Sequence, residues 1–152
     1  MSLAIPDIQL ACSHDAARIA TMSRDYIEGG LVWSWVPPRV LRSIRDVDAN
    51  VAVVRAGGAL IGFGIMHYGD DSAHLALLGV HPGHRNRGLG SRLVDWLEKP
   101  ARVAGISRID VEARADSPLA VAFYRRLGYE QCAVVAGYYQ GRIDAVRLRK
   151  AL

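Results

Sequence analysis

The sequence is poor in cysteine and has no long apolar run. It contains two cysteines, Cys12 and Cys132, which lie far apart and have no spacing typical of metal ligands. This argues against a disulfide-stabilised fold and favours a reducing, cytoplasmic compartment. No apolar segment approaches the length that crosses a bilayer, and no leader pattern is present, so we expect no membrane association.

The sequence also lacks a strong charge of either sign. Lys and Arg number 19 against 15 Asp and Glu, which gives a net charge of +4. The basic residues are spread along the chain, so we expect no nucleic-acid-binding arm, and the small surplus suits an anionic small ligand. The 152 residues are 51% hydrophobic. This length and composition predict one globular domain over residues 1–152.

The stretch from Leu75 to Leu97 contains the clearest functional pattern. An apolar strand runs into a loop rich in proline, glycine and arginine, and a helix then begins at Gly88 and Gly90. The first turn of a helix has backbone N–H groups without intrahelical acceptors and carries partial positive charge. Glycines leave those groups accessible, and Arg85 and Arg87 add positive charge. The pattern therefore predicts a pyrophosphate site.

Two common phosphate-binding loops do not fit this stretch. The loop of nucleotide triphosphatases needs a lysine after its second glycine; Gly83 and Gly88 have the required spacing, but Leu89 replaces the lysine. The dinucleotide fingerprint needs a third glycine where this sequence has Leu93. What remains is the motif Arg85-x-x-Gly88-x-Gly90 after an apolar strand. A plain strand–helix turn with incidental arginines stays open as the alternative.

Hydrophobic periodicity divides the rest of the chain into short strands and helices. Antiparallel strands with glycine-containing turns come first, and strands then alternate with helices. This order predicts an α/β (α+β) domain with a mixed, largely antiparallel central sheet flanked by helices. The predicted strands are 5–11, 51–55, 60–68, 74–80, 108–113, 129–135 and 145–149, and the predicted helices begin near Ser13, Pro38, Gly88 and Ser117. Pro100 is expected to bend the third helix.

Three later segments carry a family resemblance. Asp110–Arg114 has a strand pattern, Ala120–Tyr129 contains the end of a helix that runs to Leu127 and stops at Gly128, and Gly137–Ala145 contains Tyr-Tyr and Asp-Ala. With the Arg85-x-x-Gly88-x-Gly90 loop, they resemble the GNAT superfamily of N-acetyltransferases, and within it the ribosomal-protein alanine N-acetyltransferase branch. The resemblance implies a single GNAT-like domain that transfers an acetyl group from acetyl-CoA to a primary amine.

The resemblance also implies the roles of two residues. Glu112 matches the family's catalytic glutamate, a general base, and Tyr124 matches its catalytic tyrosine, a general acid. Ordinary structural roles stay open: Glu112 as a solvated strand residue and Tyr124 as a core aromatic. Because Glu112 alternates with apolar residues, we expect an apolar environment that raises the pKa of its carboxyl.

The acetyl-CoA site is implied in the same way. The strand before the loop is expected to offer backbone groups to the pantetheine arm, and the loop to hold the pyrophosphate through N–H groups. Ser117 stands where the family usually has asparagine, and we also expect it to cap the following helix. No metal is expected. The expected cofactor-binding residues are Leu78, Gly79, Val80, Arg85, Asn86, Arg87, Gly88, Leu89, Gly90, Ser91 and Ser117.

The acceptor is the least determined part of the reaction. A protein N-terminus, as in the alanine-acetyltransferase branch, and a small-molecule amine both fit, and a homodimer is compatible with the sequence. His74 and His81 flank the central strand and could relay a proton, although a histidine beside a turn is more often a surface residue.

The alternative function is a non-catalytic acyl-CoA-binding or regulatory module. Four aromatics are candidates for the acceptor pocket or for ordinary core positions: Trp33, Trp35, Tyr138 and Tyr139.

Overall fold

The computed structural model describes residues 6–152 and has seven strands and four α-helices in that range. Among the described helices, none combines the length and the apolar character needed to cross a bilayer. The strands are β1 (Ile8–Leu10), β2 (Ala49–Ala56), β3 (Ala59–Tyr68), β4 (Ser72–Val80), β5 (Arg108–Arg114), β6 (Glu130–Tyr139) and β7 (Ile143–Ala151). The helices are α1 (Ala16–Tyr26), α2 (Pro37–Arg45), α3 (Leu89–Val103) and α4 (Pro118–Arg126).

The strands of residues 6–152 form one sheet in the order β1-β2-β3-β4-β5-β7-β6. Neighbouring strands are antiparallel except for β4 and β5, which run parallel. The parallel pair follows from α3, since a helix that connects two adjacent strands returns the chain to the same end of the sheet. The prediction of a mixed, largely antiparallel sheet flanked by helices is confirmed.

Helices cover the two faces of the sheet. On one face α3 buries an apolar stripe that includes Leu93 and Leu97, and α4 packs beside it. On the other face α1 and α2 enclose a second cluster that contains Ile19, Met22 and Phe63. The apolar residues of α3 recur at spacings of three and four, which is why one side of this helix faces the core.

The central strand β4 contains a bulge. Met66 on β3 pairs with Leu75, whereas Ile65 pairs with Leu77, so Ala76 is an extra residue on β4. A bulge shifts the alternation of side chains by one position. Leu75 therefore joins the core under α3, and Leu77, only two residues later, joins the core under α1.

Beyond the bulge, β4 and β5 separate. Their pairing extends from Ser72 opposite Arg108 to Leu75 opposite Val111, and no pairing follows. On the opposite side of β4, pairing with β3 continues to Val80. One edge of β4 after Leu75 therefore has no strand partner among the described residues, and a gap opens between two parallel strands.

The structure departs from the sequence predictions mainly at element ends. Most strands are one to four residues longer than predicted, because tertiary pairing extends them beyond their apolar cores. Ile5, the predicted start of the first strand, lies outside the described residues. α3 continues through Pro100 to Val103. The expected bend is not evident as a break in the helix, and Pro100 is on its exposed side.

Candidate active site

A cleft of about 1320 Å³ occupies the gap between β4 and β5. Residues 76–80 of β4 and 111–114 of β5 form its walls, and the loop before α3 lies at one end. The structure brings the expected site residues together along this cleft, with one exception. Arg87 is exposed and does not line it.

The loop before α3 presents backbone N–H groups to the cleft. Asn86 and Gly88 have positive φ angles of 62° and 79°, which turn the chain sharply into the helix. The first hydrogen bond of α3 runs from the Arg92 N–H to the Gly88 carbonyl, at 3.1 Å. The N–H groups of Leu89, Gly90 and Ser91 come before that bond and therefore have no acceptor within the helix. This is the geometry of an anion site at a helix N-terminus.

Arg85 has a structural contact inside this loop. Its Nε donates a hydrogen bond to the Val80 carbonyl at 3.1 Å, and its guanidinium lies 5.9 Å from the ring of Tyr26. The side chain thus braces the loop against the end of β4 and α1. Its positive charge still lies at the end of the cleft next to α3.

Packing also favours the absence of a side chain at Gly90. A Cβ atom there would lie 3.1 Å from Cε1 and Cζ of Phe123, which is closer than ordinary van der Waals contact. Gly90 therefore lets α3 approach α4. At Gly88 no atom would approach a Cβ within 4 Å, so glycine is favoured there by its positive φ. Packing against Phe123 is thus a second reason for glycine at position 90, and ligand access there stays a prediction.

The strand edge expected to meet the pantetheine arm is free. Leu78, Gly79 and Val80 pair with β3 on one side and line the cleft on the other. An extended ligand beside this edge finds a row of backbone donors and acceptors, as a further strand would.

Gly79 is also constrained by packing. A Cβ at this position would lie 2.7 Å from Cε1 of Phe63, a fully buried ring, and 3.3 Å from Ile27. We expect Gly79→Ala to lower the free energy of unfolding by about 1–3 kcal/mol, because the buried ring has to move. Urea denaturation measures this. Gly29→Ala is the matched control, since no atom lies within 4 Å of a Cβ there. Equal stability of the two variants would contradict the prediction.

Glu112 lies on β5 at the cleft and is held by two strands. Its side chain is 9% exposed. Nε2 of His74, on β4, lies 2.6 Å from Oε2, and Nε of Arg147, on β7, donates to Oε1 at 3.2 Å. Both carboxylate oxygens therefore have partners. Glu112 is not the solvated strand residue that the sequence left open.

The pKa of Glu112 differs from the expectation. Burial raises the pKa of its carboxyl, but the hydrogen bonds and charges of His74 and Arg147 outweigh burial, and the net pKa lies below the ordinary value. The predicted increase is wrong because the sequence pattern identified the apolar neighbours on β5 and not the partners on β4 and β7. The carboxylate is ionised at neutral pH and is a weak base.

Tyr124 lies on α4 and its ring is buried beside Phe123 and Tyr129. Burial, and to a smaller extent the neighbouring Tyr139, raises the pKa of the Tyr124 phenol well above its usual value. The phenol is therefore protonated at neutral pH. It lines the cleft, and no described residue forms a hydrogen bond with its oxygen. The structure gives Tyr124 both a core position and a hydroxyl that is free to donate.

Ser117 lines the cleft just before α4. It occupies the cap position, but its side chain makes no capping hydrogen bond, contrary to the expectation. Pro118 at the first helical position lacks an N–H and has the φ that a helix requires, which lessens the need for a cap. The Ser117 hydroxyl is thus not committed to the helix.

The opposite end of the cleft lies between two connections that are tied together. Gln140, in the β6–β7 hairpin, donates to the Val32 carbonyl at 2.8 Å and accepts from the Val32 N–H at 2.9 Å. Arg114 donates to the carbonyls of Ile27 and Gly29 at 3.0 and 2.7 Å. These bonds hold the α1–α2 connection against β5 and the hairpin. Of the four aromatics singled out by sequence, Trp35, Tyr138 and Tyr139 line the cleft and Trp33 does not.

The described residues contain one group of potential metal ligands, and it lies away from the cleft. Cys12, His14 and Asp15 place ligand atoms within 4.8 Å of one another. Oδ2 of Asp15 is already bonded to Arg55 at 2.7 Å and accepts from the Cys12 N–H. These bonds explain why the three side chains lie together, because they connect β2 to the start of α1.

The sequence pattern does not predict the two partners of Glu112. His74 is a candidate proton relay or a surface residue beside a turn from the sequence, and Arg147 has no role in the sequence predictions. The only signal was their position on strands with the alternation that places polar side chains on one face. Strand pattern alone does not show which strands become neighbours, and these residues are 38 and 35 positions from Glu112.

Comparisons with known proteins agree with this geometry. Residues 19–129 match the profile of the acetyltransferase (GNAT) family. N-alpha-acetyltransferase RimI of Mycobacterium tuberculosis is 30% identical over 142 residues, which cover 90% of this chain and 86% of that protein.

Solved structures share the fold. Ard1 from Thermoplasma volcanium has a TM-score of 0.84 at 20% identity, over 96% of this chain and 97% of that chain. The PaiA N-acetyltransferase from Thermoplasma acidophilum, solved in complex with coenzyme A, has a TM-score of 0.82 at 16% identity, over 98% and 100%. The profile match covers well over half of the sequence, and the chain therefore belongs to the GNAT family of acetyl-CoA-dependent N-acetyltransferases.

Proposed function

We propose that this protein acetylates the α-amino group at the N-terminus of a peptide or protein, with acetyl-CoA as the donor. The observation that carries the proposal is the single cleft that joins the N-terminus of α3 to Glu112 and Tyr124. A carboxylate that is ionised and a phenol that is protonated lie along one path, which is the distribution of charge that acyl transfer to an amine requires.

The donor occupies the end of the cleft at α3. The N–H groups of residues 86–91 bind the pyrophosphate, and Arg85 adds positive charge there. The pantetheine arm extends along the free edge of Leu78, Gly79 and Val80 as an additional strand would. Ser117 offers its uncommitted hydroxyl from the other wall. A pantetheine arm in this position directs the thioester toward Tyr124.

The reaction needs a defined movement of protons. Glu112 supplies the negative charge that draws one proton from the acceptor ammonium, and the freed lone pair attacks the thioester carbon. Backbone N–H groups of β4 stabilise the oxyanion. As the C–S bond breaks, Tyr124 gives its proton to the sulfur, and the second proton of the new amide nitrogen restores the phenol. One proton is released for each acetyl group transferred.

The weak base favours an α-amine over a lysine side chain. An α-amino group has a pKa of about 7.7–8.0, whereas the lysine side chain has a pKa of about 10.4. A base whose pKa is lowered by His74 and Arg147 removes a proton more readily from the less basic amine. The relative from Mycobacterium tuberculosis, by its name an N-alpha-acetyltransferase, supports the same class of acceptor.

The charges at the acceptor end do not suit a polycationic amine. Arg39 and Arg42 of α2 line this part of the cleft, and the Arg39 guanidinium stacks on Trp35 at 3.8 Å. The buried Glu28 carboxylate already accepts hydrogen bonds from Ser23 and from residue 34. A polyamine or an aminoglycoside would meet positive charge and no free carboxylate cluster.

A panel of amines tests the acceptor class. We expect thiol release from acetyl-CoA with a peptide that has a free N-terminus to exceed, by about tenfold or more in kcat/KM, that with the same peptide blocked at its N-terminus and carrying an internal lysine. Spermidine serves as the polycationic comparison. Preference for the lysine peptide or for spermidine would contradict the proposal. Binding of acetyl-CoA without thiol release on any amine would instead support the non-catalytic acyl-CoA-binding module.

The cytoplasmic location and the homodimer remain proposals from the sequence. The location rests on the low cysteine content, and both cysteines are free. Sedimentation equilibrium of the purified protein measures the oligomeric state, and a mass close to 16.6 kDa would contradict a dimer.

A further inference from the structure

We propose that His74 is a catalytic residue of this chain, whose imidazole Nδ1 accepts the proton of the acceptor ammonium while Glu112 holds the other ring nitrogen. The inference rests on the proposed function and refines its base. It assigns the proton to a specific atom and gives Glu112 the role of orienting and stabilising the imidazole.

The geometry of the pair carries the inference. Nε2 of His74 and Oε2 of Glu112 are 2.6 Å apart, which is a short contact, as expected for a charge-assisted hydrogen bond. Because an ionised carboxylate only accepts, Nε2 carries the hydrogen and the lone pair of the neutral ring is on Nδ1. No described residue forms a hydrogen bond with Nδ1. The free lone pair is thus fixed on the ring atom opposite Glu112.

His74 and Glu112 differ in how readily an acceptor amine can reach them. The His74 side chain is 42% exposed and lines the cleft, whereas that of Glu112 is 9% exposed. Both oxygens of Glu112 are engaged, one by His74 and the other by Arg147. An incoming ammonium therefore reaches the imidazole without breaking the bonds of the carboxylate. Protonation of Glu112 would also disrupt its ion pair with Arg147.

The step balances without a further reactant. An N–H bond of the ammonium breaks and its electron pair stays on nitrogen, while an Nδ1–H bond forms on His74. The resulting imidazolium is an ion pair with Glu112, which stabilises it, as a carboxylate stabilises imidazolium in hydrolase triads. The imidazolium then returns the Nδ1 proton to water. This is the one proton that the overall transfer releases.

Other charged groups surround His74 on the same face of the sheet. His67 lies directly opposite on β3, and Asp110 is the register partner of His74 on β5. Asp110 is bonded to Arg149 at 2.7 Å, which leaves Glu112 as the acidic partner of the imidazole. His74 is flanked by His67 of β3 and by Asp110 and Glu112 of β5. Around these neighbours, Arg147 and Arg149 of β7 bind Glu112 and Asp110, Tyr138 of β6 lies near Glu112, and Arg39 and Asp46 of the α2 region lie near His67.

Tautomer measurement by NMR tests the arrangement without any turnover. Long-range ¹H–¹⁵N spectra of the full-length protein distinguish Nε2–H from Nδ1–H histidine, and His74→Gln assigns the signal. We expect neutral His74 to be the Nε2–H tautomer, and Glu112→Gln to remove that preference. An Nδ1–H tautomer in the wild-type protein would overturn the inference.

Kinetics test the role in the reaction. We expect His74→Gln to lower kcat by about tenfold or more, to leave the KM for acetyl-CoA near the wild-type value, and to remove the acidic limb of the kcat–pH profile. Added imidazole should restore part of the activity of His74→Ala in proportion to the concentration of the free base. A merely structural histidine would not give that rescue. His67→Gln is the matched control, and it should retain the acidic limb.

The outcomes separate this inference from the proposed function. If the wild-type protein acetylates a peptide and His74→Gln keeps its kcat and its acidic limb, the proposed function stands and the role of His74 is overturned. If no amine supports thiol release, both are overturned. Loss of kcat in His74→Gln without rescue of His74→Ala by imidazole also contradicts a proton-accepting role.

Discussion

Replacement of Tyr124 by phenylalanine is expected to lower kcat by about 100-fold or more, because the proposed mechanism makes Tyr124 the general acid and loss of a positioned general acid typically has an effect of that size. The dissociation constant of acetyl-CoA should stay close to the wild-type value. Phenylalanine keeps the buried ring and its contacts with Phe123 and Tyr129. Only the hydroxyl that faces the cleft is removed.

The physical reason lies in the state of the phenol. Burial raises the pKa of Tyr124, so the hydroxyl is protonated whenever the thiolate leaves. A thiolate released beside the buried Tyr124 ring without a hydrogen-bond donor is poorly stabilised. Because the substrate thioester carries no charge on sulfur, the hydroxyl contributes mainly to the transition state, and its loss changes kcat more than binding.

Thiol release under saturating peptide measures kcat, and isothermal titration measures the affinity for acetyl-CoA. Tyr129→Phe is the matched control, since its ring lies 5.8 Å from that of Tyr124 but its hydroxyl binds Glu98 and does not line the cleft. That variant should lose stability and retain kcat below its unfolding temperature. Equal kcat for Tyr124→Phe and the wild type would show that the phenol is only a core residue.

Replacement of Glu98 by alanine is expected to lower the free energy of unfolding by about 3–5 kcal/mol, as for other buried ion pairs that lose one partner. The Glu98 side chain is 3% exposed. It accepts from the Tyr129 hydroxyl at 2.7 Å, from Lys150 at 3.0 Å and from Arg102 at 3.1 Å. Removal leaves a buried hydroxyl and a partly buried ammonium without their acceptor.

Urea denaturation at neutral pH measures this loss. Asp95→Ala is the matched control on the same helix, because its carboxylate is 67% exposed and pairs with Lys99 at 3.6 Å. An exposed pair of this kind contributes about 0–1 kcal/mol. Glu98→Gln should fall between the two, since the amide oxygen still accepts from Tyr129. A loss for Glu98→Ala no larger than that for Asp95→Ala would contradict a central role for this network in tying α3 to β7 and to Tyr129, which follows α4.

Much of the candidate site could be predicted from patterns within short segments of the sequence. The N–H groups before α3 follow from the sequence, because a helix start, its glycines and a preceding strand lie within about twenty consecutive residues. The identification of Glu112 and Tyr124 as candidates came from motifs of the same local kind. Both line the cleft, together with the expected loop and strand.

The pairing between strands could not be predicted from such local patterns. The bulge at Ala76 places Leu75 and Leu77 on opposite faces, although simple alternation puts them on one. The bulge precedes the separation of β4 from β5, and that separation creates the cleft. A bulge depends on the register between β3 and β4, which hydrophobic alternation along one strand does not specify.

A mixed α/β fold and the loop at the start of α3 follow from the sequence, and the family resemblance adds Glu112 and Tyr124 as candidates for acyl transfer. The tertiary structure alone decided that His74 and Arg147 bind Glu112 and lower its pKa, and that Gly90 accommodates Phe123. The physical reason is the distance along the sequence over which the determining interactions act. Helix starts and strand patterns depend on neighbours a few residues away, whereas the charge state of a carboxyl depends on whichever side chains the sheet order brings beside it.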